Sequence, residues 1–186
     1  MIEQSGERTP APGDLSVVQA FVNSADIEAG QDALGDVDSA SSWLRANDGG
    51  ERTPLDEAER RRLVEVREAL RDVLSGHTGE EATLAAGRLT EMLSGAVLRP
   101  VITVHGAELV PACPGVDTFL ATLGSAIVEA TVAGTWDRLK VCRDDTCRWA
   151  FYDHSKNGRG AWCTMRVCGN RAKARAYRER RRAATG

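Results

Sequence analysis

Four cysteines near one end of the chain constrain its fold more than any other feature. They follow the pattern C-x4-C-x15-C-x4-C and are Cys142, Cys147, Cys163 and Cys168. Two close pairs joined by a short loop suit a tetrahedral metal site, because each pair closes a small turn and the loop lets the turns meet. The pattern therefore predicts one structural zinc ion per chain, held by four thiolates at about 2.3 Å per bond.

Two disulfides are the alternative, and the expected compartment weighs against them. The first residues, MIEQSGERTPAPGD, lack the apolar run that follows a positive cluster in a secretory signal. No apolar stretch approaches the roughly 18–20 residues that span a bilayer. We therefore expect a cytoplasmic protein without a membrane partner, and structural disulfides are rare in the cytoplasm. Release of zinc on oxidation stays open, and Cys113, outside the pattern, is predicted to be a free thiol.

A catalytic zinc would need an open coordination position and a general base nearby. Asp153 and His154 lie between the two cysteine pairs and are the candidates for such a base. Four cysteines already fill a tetrahedron, however, and the sequence has no phosphate-binding loop, no catalytic carboxylate pair and no nucleophile–base motif. We predict no catalytic residues and no enzymatic activity.

Charge divides the chain unevenly, although the net charge is only −3. Residues 138–186 contain 14 Lys and Arg against 4 Asp and Glu, whereas residues 1–137 contain 10 against 23. Such asymmetry predicts an acidic body that carries a basic, polyanion-seeking end. Most of the basic residues are arginines, which bind phosphate in a planar, bidentate way.

Apolar periodicity predicts an α+β protein, a mainly helical N-terminal domain with a β-hairpin followed by a small treble-clef-like zinc finger. We expect a disordered leader (1–13), the helical domain (14–136) and the finger with a basic terminal helix (138–182). The β-branched segment 97–110 predicts the hairpin, with His105-Gly106 as its turn. Thr53 and Pro54 predict the start of a long helix. Because the helices carry their own apolar stripes, the body is expected to fold without the finger.

Inside the finger, a second β-hairpin is predicted between the two cysteine pairs. Trp149 and Phe151 alternate with small or polar residues, and Asn157-Gly158 is a turn signal. A helix is expected from Asn170 to about Arg182. The order of knuckle, hairpin and ligand-bearing helix is typical of a treble clef.

These residues resemble the CGNR zinc-finger family over about 45 positions. The signature tetrapeptide is Cys168-Gly169-Asn170-Arg171, and FYDHSKNGRGAWC ends in the Trp162-Cys163 pair. The preceding region resembles the ABATE domain: Phe21-Val22-Asn23-Ser24 is similar to its FVNT element and Trp43-Leu44 to its WL element. The resemblance implies a stress-induced transcription regulator that binds zinc.

Two functions remain open for the finger. In the first, it binds duplex DNA, and the phosphate-contacting residues are Arg171, Lys173, Arg175, Arg178 and Arg182. The four arginines of this set fall within about 60° on a helical wheel and form one stripe. A solvated, frayed helix is the simpler interpretation of the same stripe. Asn170 and Arg171 are also candidates for base contacts, although for Asn170 a structural role is favoured.

In the second, the finger is a zinc-stabilised module for RNA or protein binding. Trp149, Tyr152 and Tyr177 would then stack on unpaired bases, unless they are core residues of the finger. In either case the acidic domain is a candidate sensor of a small-molecule effector, with Asn23 and Ser24 in a ligand pocket. A buried Asn satisfied by backbone groups is the alternative for Asn23. A homodimer would suit a symmetric DNA target, but no heptad seam is visible.

Overall fold

The computed structural model describes residues 9–48, 55–76 and 80–184. The helices are α1 (Leu15–Val22), α2 (Val37–Asp48), α3 (Glu57–Gly76), α4 (Glu80–Met92), α5 (Val116–Val132) and α6 (Asn170–Ala183). The strands are β1 (Ala25–Asp26), β2 (Gln31–Asp32), β3 (Leu98–Thr103), β4 (Gly106–Pro111), β5 (Leu139–Val141) and β6 (Ala150–Tyr152). Consecutive strands pair into three separate antiparallel hairpins. The predicted α+β class, helical first and zinc finger last, is confirmed.

The core of the body lies between α1, α2, α3 and α5. Leu63, Leu70 and Leu74 recur on one side of α3 and are almost fully buried, as the periodicity requires. An aromatic trio, Phe21, Trp43 and Phe119, joins the other helices, with ring centroids 5.2–5.7 Å apart in tilted or edge-on contacts. Such geometry is favourable for aromatic pairs, and the trio links α1, α2 and α5.

The start of α3 differs from the prediction. Thr53 and Pro54 lie outside the described residues, and the helix begins at Glu57. Asp56 caps it instead: its Oδ1 accepts from the Glu59 N–H at 2.8 Å, and the Glu59 carboxylate accepts from the Asp56 N–H at 3.1 Å. These reciprocal bonds form a capping box, which satisfies two backbone donors and fixes the first turn.

The hairpin expected in 97–110 is present as β3 and β4. Its register pairs Thr103 with Gly106, so the two loop residues are Val104 and His105 and the turn falls one position earlier than predicted. Gly106 follows the loop at φ 144°, a conformation that favours glycine.

The β5–β6 hairpin of the finger packs into the body. Leu139, Val141 and Ala150 of the β5–β6 hairpin are buried in the same apolar core as the helices. The body core therefore includes side chains of the finger. That the body folds without the finger stays a sequence-based prediction, which truncation of the chain tests. The sequence places these residues beyond the last apolar helix, and only the tertiary fold returns them to α1 and α3.

Residues 1–8 of the predicted leader lie outside the described residues. Ala11 is buried, and its N–H donates to Oε1 of Gln19 at 2.6 Å, so the segment just before α1 packs against that helix. Within the described ranges, no helix has both the length and the apolar character needed to cross a membrane.

Candidate metal centre and nucleic-acid interface

The sulfurs of Cys142, Cys147, Cys163 and Cys168 all lie within 4.8 Å of one another. All four thiols are free and buried. The Cys147–Cys163 and Cys163–Cys168 sulfur distances are 3.6 and 3.7 Å. A zinc tetrahedron with bonds of about 2.3 Å has edges of about 3.8 Å, whereas a disulfide needs about 2.05 Å. The geometry fits one structural zinc ion and not two disulfides.

The first cysteine pair lies in the connection between β5 and β6. Strand β5 ends at Val141, the knuckle turns back through the Cys147 N–H bond to the Asp144 carbonyl at 2.8 Å, and β6 starts at Ala150. The predicted position of the hairpin, between the cysteine pairs, is therefore wrong: its strands enclose the first pair. The turn at Asn157-Gly158 is present, but it belongs to a loop. The alternation at Trp149 and Phe151 identifies β6, the second strand of the hairpin, whereas the first strand, β5, precedes Cys142.

The second pair is set by a π-helical turn, Met165–Gly169, that leads directly into α6. Thr164 caps this turn, its side-chain oxygen accepting from the Val167 N–H at 3.2 Å. A Cβ on Gly169 would lie 2.8 Å from the Met165 sulfur. Glycine therefore lets Met165 close over the turn that presents Cys168.

The thiols need a cation to lose their protons together. Burial, with the neighbouring thiolate charge, raises the pKa of Cys168 to about 12. Hydrogen bonds within the cluster raise the pKa of Cys147, whereas those from Cys147 and Cys163 lower the pKa of Cys142 to about 2. Without a cation, the cluster therefore does not hold all four cysteines as thiolates at once. A divalent cation reverses this balance, because a coordinating thiol is deprotonated outright.

Asp153 holds the loop that joins the cysteine pairs. Its carboxylate accepts from Lys140 Nζ at 2.9 Å and from the N–H groups of Ser155 and Gly160 at 3.0 and 2.6 Å. Burial opposes ionisation, but these hydrogen bonds outweigh it and keep the pKa of Asp153 well below its usual range. A Cβ on Gly160 would come within 2.8 Å of this carboxylate. The carboxylate is thus committed to loop structure, and His154 is an exposed side chain whose ring contacts Tyr152.

The predicted arginine stripe divides into two parts. Arg175 donates to the buried carboxylate of Asp144 at 3.0 Å, and Arg171 lies 4.0 Å from the same group. Arg171 also pairs with Glu28 of the β1–β2 connection, which raises the pKa of this arginine. These two guanidiniums therefore have acidic partners within the chain. Lys173, Arg178 and Arg182, the rest of the predicted set, are exposed.

The other predicted base-contacting residue has a local role. Asn170 donates through Nδ2 to the Arg166 carbonyl at 2.9 Å, at the junction of the π-helical turn and α6. This bond agrees with the structural role that the sequence favoured for Asn170 over a base contact.

Asn23 binds the finger backbone. Its Oδ1 accepts from the Ala150 N–H at 2.7 Å, and its Nδ2 donates to the Ala150 carbonyl at 2.8 Å. Gln19 donates to the same carbonyl at 3.2 Å. This is the buried, backbone-satisfied Asn of the alternative interpretation. A cavity of about 470 Å³ between the β3–β4 hairpin and α5 is lined by other residues.

Two arginines of α3 complete this junction, and the sequence analysis did not single them out. Arg71 is fully buried and donates to the carbonyls of Val22 at 2.7 Å and Arg148 at 2.8 Å. Arg67 pairs with Asp32 at 2.6 Å and donates to the Ser24 hydroxyl at 3.3 Å. Ser24, the second predicted pocket residue, thus contacts Arg67. The available signal was helical spacing, because both arginines border the leucine stripe of α3.

Comparison with protein families agrees with this geometry. Residues 15–138 match the ABATE family, described as "Putative stress-induced transcription regulator", and residues 138–181 match the CGNR zinc finger. No match was found among curated proteins. The two family matches follow each other in the predicted order, and the second contains all four metal-binding cysteines. The chain belongs to the ABATE family and carries a CGNR zinc finger.

Proposed function

We propose that the chain is a zinc-dependent, DNA-binding transcriptional regulator in which the finger contacts the nucleic acid. Cys168 is the last ligand of the metal cluster and lies two residues before the first residue of α6, so zinc fixes where this basic helix begins. Zinc with four thiolates adds −2 to the +10 of residues 138–186, which leaves a formal charge of about +8. A surface of this charge binds a polyphosphate backbone without reading its sequence.

Exposure along α6 is the observation that carries the proposal. Lys173, Arg178 and Arg182 face solvent, and like charges on one short helix repel one another. The phosphates of a nucleic acid would supply countercharge to this surface. Arg171 and Arg175 contribute differently, because Glu28 and Asp144 already partner them. We assign these two to orienting the helix and the three exposed residues to phosphate contacts.

The acidic body is proposed as the regulatory or sensing part of the protein. It binds the finger backbone directly through Asn23 and Arg71, so a change in the body reaches the residues beside the zinc knuckle. Four free cysteines at the metal site fit a reducing compartment, and we propose a cytoplasmic location. Because those four thiolates complete a zinc tetrahedron, the metal has no position for a substrate, which supports a non-enzymatic role.

In vitro selection from random duplex DNA with the zinc-loaded full chain tests the function. Recovery of one sequence motif is expected. Recovery of no motif, together with tighter binding of single-stranded RNA than of duplex DNA at matched salt, would replace this function by the RNA-binding alternative.

A second measurement separates the two kinds of arginine. The slope of log K against log salt is negative, and its magnitude decreases by about 0.9 for each phosphate that the protein no longer neutralises. Arg178→Ala is expected to produce such a fall and to leave zinc content and helix content unchanged. Arg175→Ala should change the slope less and should destabilise the finger, because it leaves the buried Asp144 carboxylate without its closest cation. Equal slopes for the parent and Arg178→Ala would show that Arg178 contacts no phosphate and is only a solvated surface residue.

A further inference from the structure

One large apolar side chain of α6 is exposed where the finger core cannot use it. Tyr177 is 55% exposed, whereas Trp149 is 2% exposed and lies in the small core around the cysteines. Of the three aromatic residues considered for base stacking, Trp149 is therefore buried and Tyr152 half-buried. Tyr177 alone of these three is available to a partner.

The surroundings of Tyr177 are cationic. Lys173 and Arg181 stand four residues before and after it, so all three lie along one side of the helix. Both flanking residues are exposed. We call Lys173, Tyr177 and Arg181 the tyrosine face. A tyrosine between two cations suits a partner that is negatively charged at its edges and flat or apolar between them.

The tyrosine face points away from the acidic groups that bind α6. Arg171 and Arg175, which bind Glu28 and Asp144, lie on the opposite half of the helical wheel from Lys173 and Tyr177 at 100° per residue. The ion pairs therefore hold one side of α6 against the protein and present the other outward. Glu28 and Asp144 therefore bind the side of α6 that faces away from Tyr177.

The dimensions match one class of partner. Arg181 lies eight positions after Lys173, which corresponds to about 12 Å along the helix axis. The major groove of B-DNA is about 12 Å wide and admits an α-helix. Two cations at this separation reach the phosphates on either side of the groove when the helix crosses it, and the residue midway between them faces the base edges.

We propose that the tyrosine face enters the major groove of duplex DNA, with Tyr177 against the bases and Lys173 and Arg181 on the flanking phosphates. This inference rests on the proposed DNA-binding function and adds its base-contacting residue. The ring of Tyr177 packs on an apolar group such as the thymine methyl, and its hydroxyl donates to or accepts from a base edge. Sequence preference thus depends on Tyr177 and general affinity on the cations.

Photocrosslinking to duplex DNA of random sequence tests this placement. The probe is two helical turns long, carries 5-bromouracil in place of thymine and is bound to the zinc-loaded full chain. Mass spectrometry is expected to map the crosslink to Tyr177. Tyr177→Ala should abolish it, and Leu84→Ala, which alters an exposed apolar residue of α4 in the body, should retain it. A crosslink that maps elsewhere overturns the proposal.

Selection with the variants supplies the second readout. For Tyr177→Ala, discrimination between the selected motif and random duplex should fall by about tenfold or more, with an unchanged salt slope and helix content. Tyr177→Phe should lose only the part of this discrimination that is due to the hydroxyl, and Lys173→Ala should decrease the magnitude of the salt slope by about 0.9.

If the parent binds no duplex, the DNA-binding function itself fails. If the parent selects a motif and Tyr177→Ala selects it equally well, only this inference fails. A Tyr177→Ala variant that changes the oligomeric state but not the discrimination would assign the face to a second copy of the chain.

Discussion

The body and the finger are stabilised in different ways. The body buries a continuous set of leucine, valine, alanine and phenylalanine side chains from five helices. The separate core of the finger consists of four cysteines, Trp149 and Phe151, with Trp162 against them. Apolar burial therefore stabilises the first region and a metal ion the second. The junction uses a third device, buried hydrogen bonds from body side chains to finger carbonyl and N–H groups.

The largest effect should come from removing a metal ligand. Cys168→Ser is expected to lose zinc and to unfold the knuckle and α6, because structural zinc contributes about 10–16 kcal/mol in isolated finger peptides. Elemental analysis and circular dichroism measure the two consequences. Cys113→Ser is the matched control, since this half-buried thiol lies outside the cluster, and it should retain one zinc per chain. Loss of zinc from that control would contradict the ligand assignment.

Truncation after Asp137 tests how far the body depends on the finger. The shortened chain lacks Leu139, Val141 and Ala150, which fill the body core. Each large apolar side chain removed from a core costs about 1.5–3 kcal/mol, out of a total stability of about 5–15 kcal/mol. We expect a non-cooperative thermal transition. A cooperative transition near that of the full chain would instead show that the body is independent.

Asn23→Ala tests the junction with both regions intact. It leaves the Ala150 N–H without an acceptor and removes one of the two donors to the Ala150 carbonyl. The expected loss is about 1–3 kcal/mol in the free energy of unfolding, measured by denaturant titration. Asn170→Ala removes an amide that bonds at an exposed position and should change stability by no more than about 0.5 kcal/mol. Equal losses for the two variants would argue against a special role of the junction.

The smallest effect concerns the ion pair of Asp32 with Arg67. Burial alone would raise the pKa of Asp32, but hydrogen bonds from Arg67 and the Leu34 N–H lower it below the ordinary value of 3.8. The pair therefore stabilises the protein above that value and is lost as pH falls through the lower, folded-state pKa. Asp32→Asn should reduce stability by about 1 kcal/mol at neutral pH, since this carboxylate is largely solvated. The difference between parent and variant should stay constant down to about pH 4 and shrink below the ordinary value of 3.8, as followed by urea titration.

The sequence allowed the zinc ligands to be predicted because their spacing is a local property. The helices of the body could be predicted for the same reason, since the apolar stripe of a helix is visible within one segment of the sequence. The finger hairpin was misplaced because alternation at Trp149 and Phe151 identifies a strand but not its partner, which here precedes the first cysteine.

The partners of Arg71 and Arg175 could not be predicted in the same way. Arg148 is 77 residues from Arg71 in the sequence, and Asp144 is 31 residues from Arg175. A single sequence does not specify such long-range pairs. Identifying which arginines of the stripe bind Glu28 and Asp144 consequently required the fold.

The bonds at Ala150 also bear on how such a protein can be assembled by recombination. Side-chain identity at position 150 matters little to them, because Asn23 and Gln19 bind the backbone. The finger can therefore change many of its surface side chains, and with them its target, without disturbing the attachment. The reverse does not hold: a body that lacks the amide at position 23 and the guanidinium at position 71 has no equivalent groups to receive the hairpin. Exchange of fingers between relatives thus requires these two groups in the receiving body, and apolar side chains at positions 139, 141 and 150 in the incoming finger.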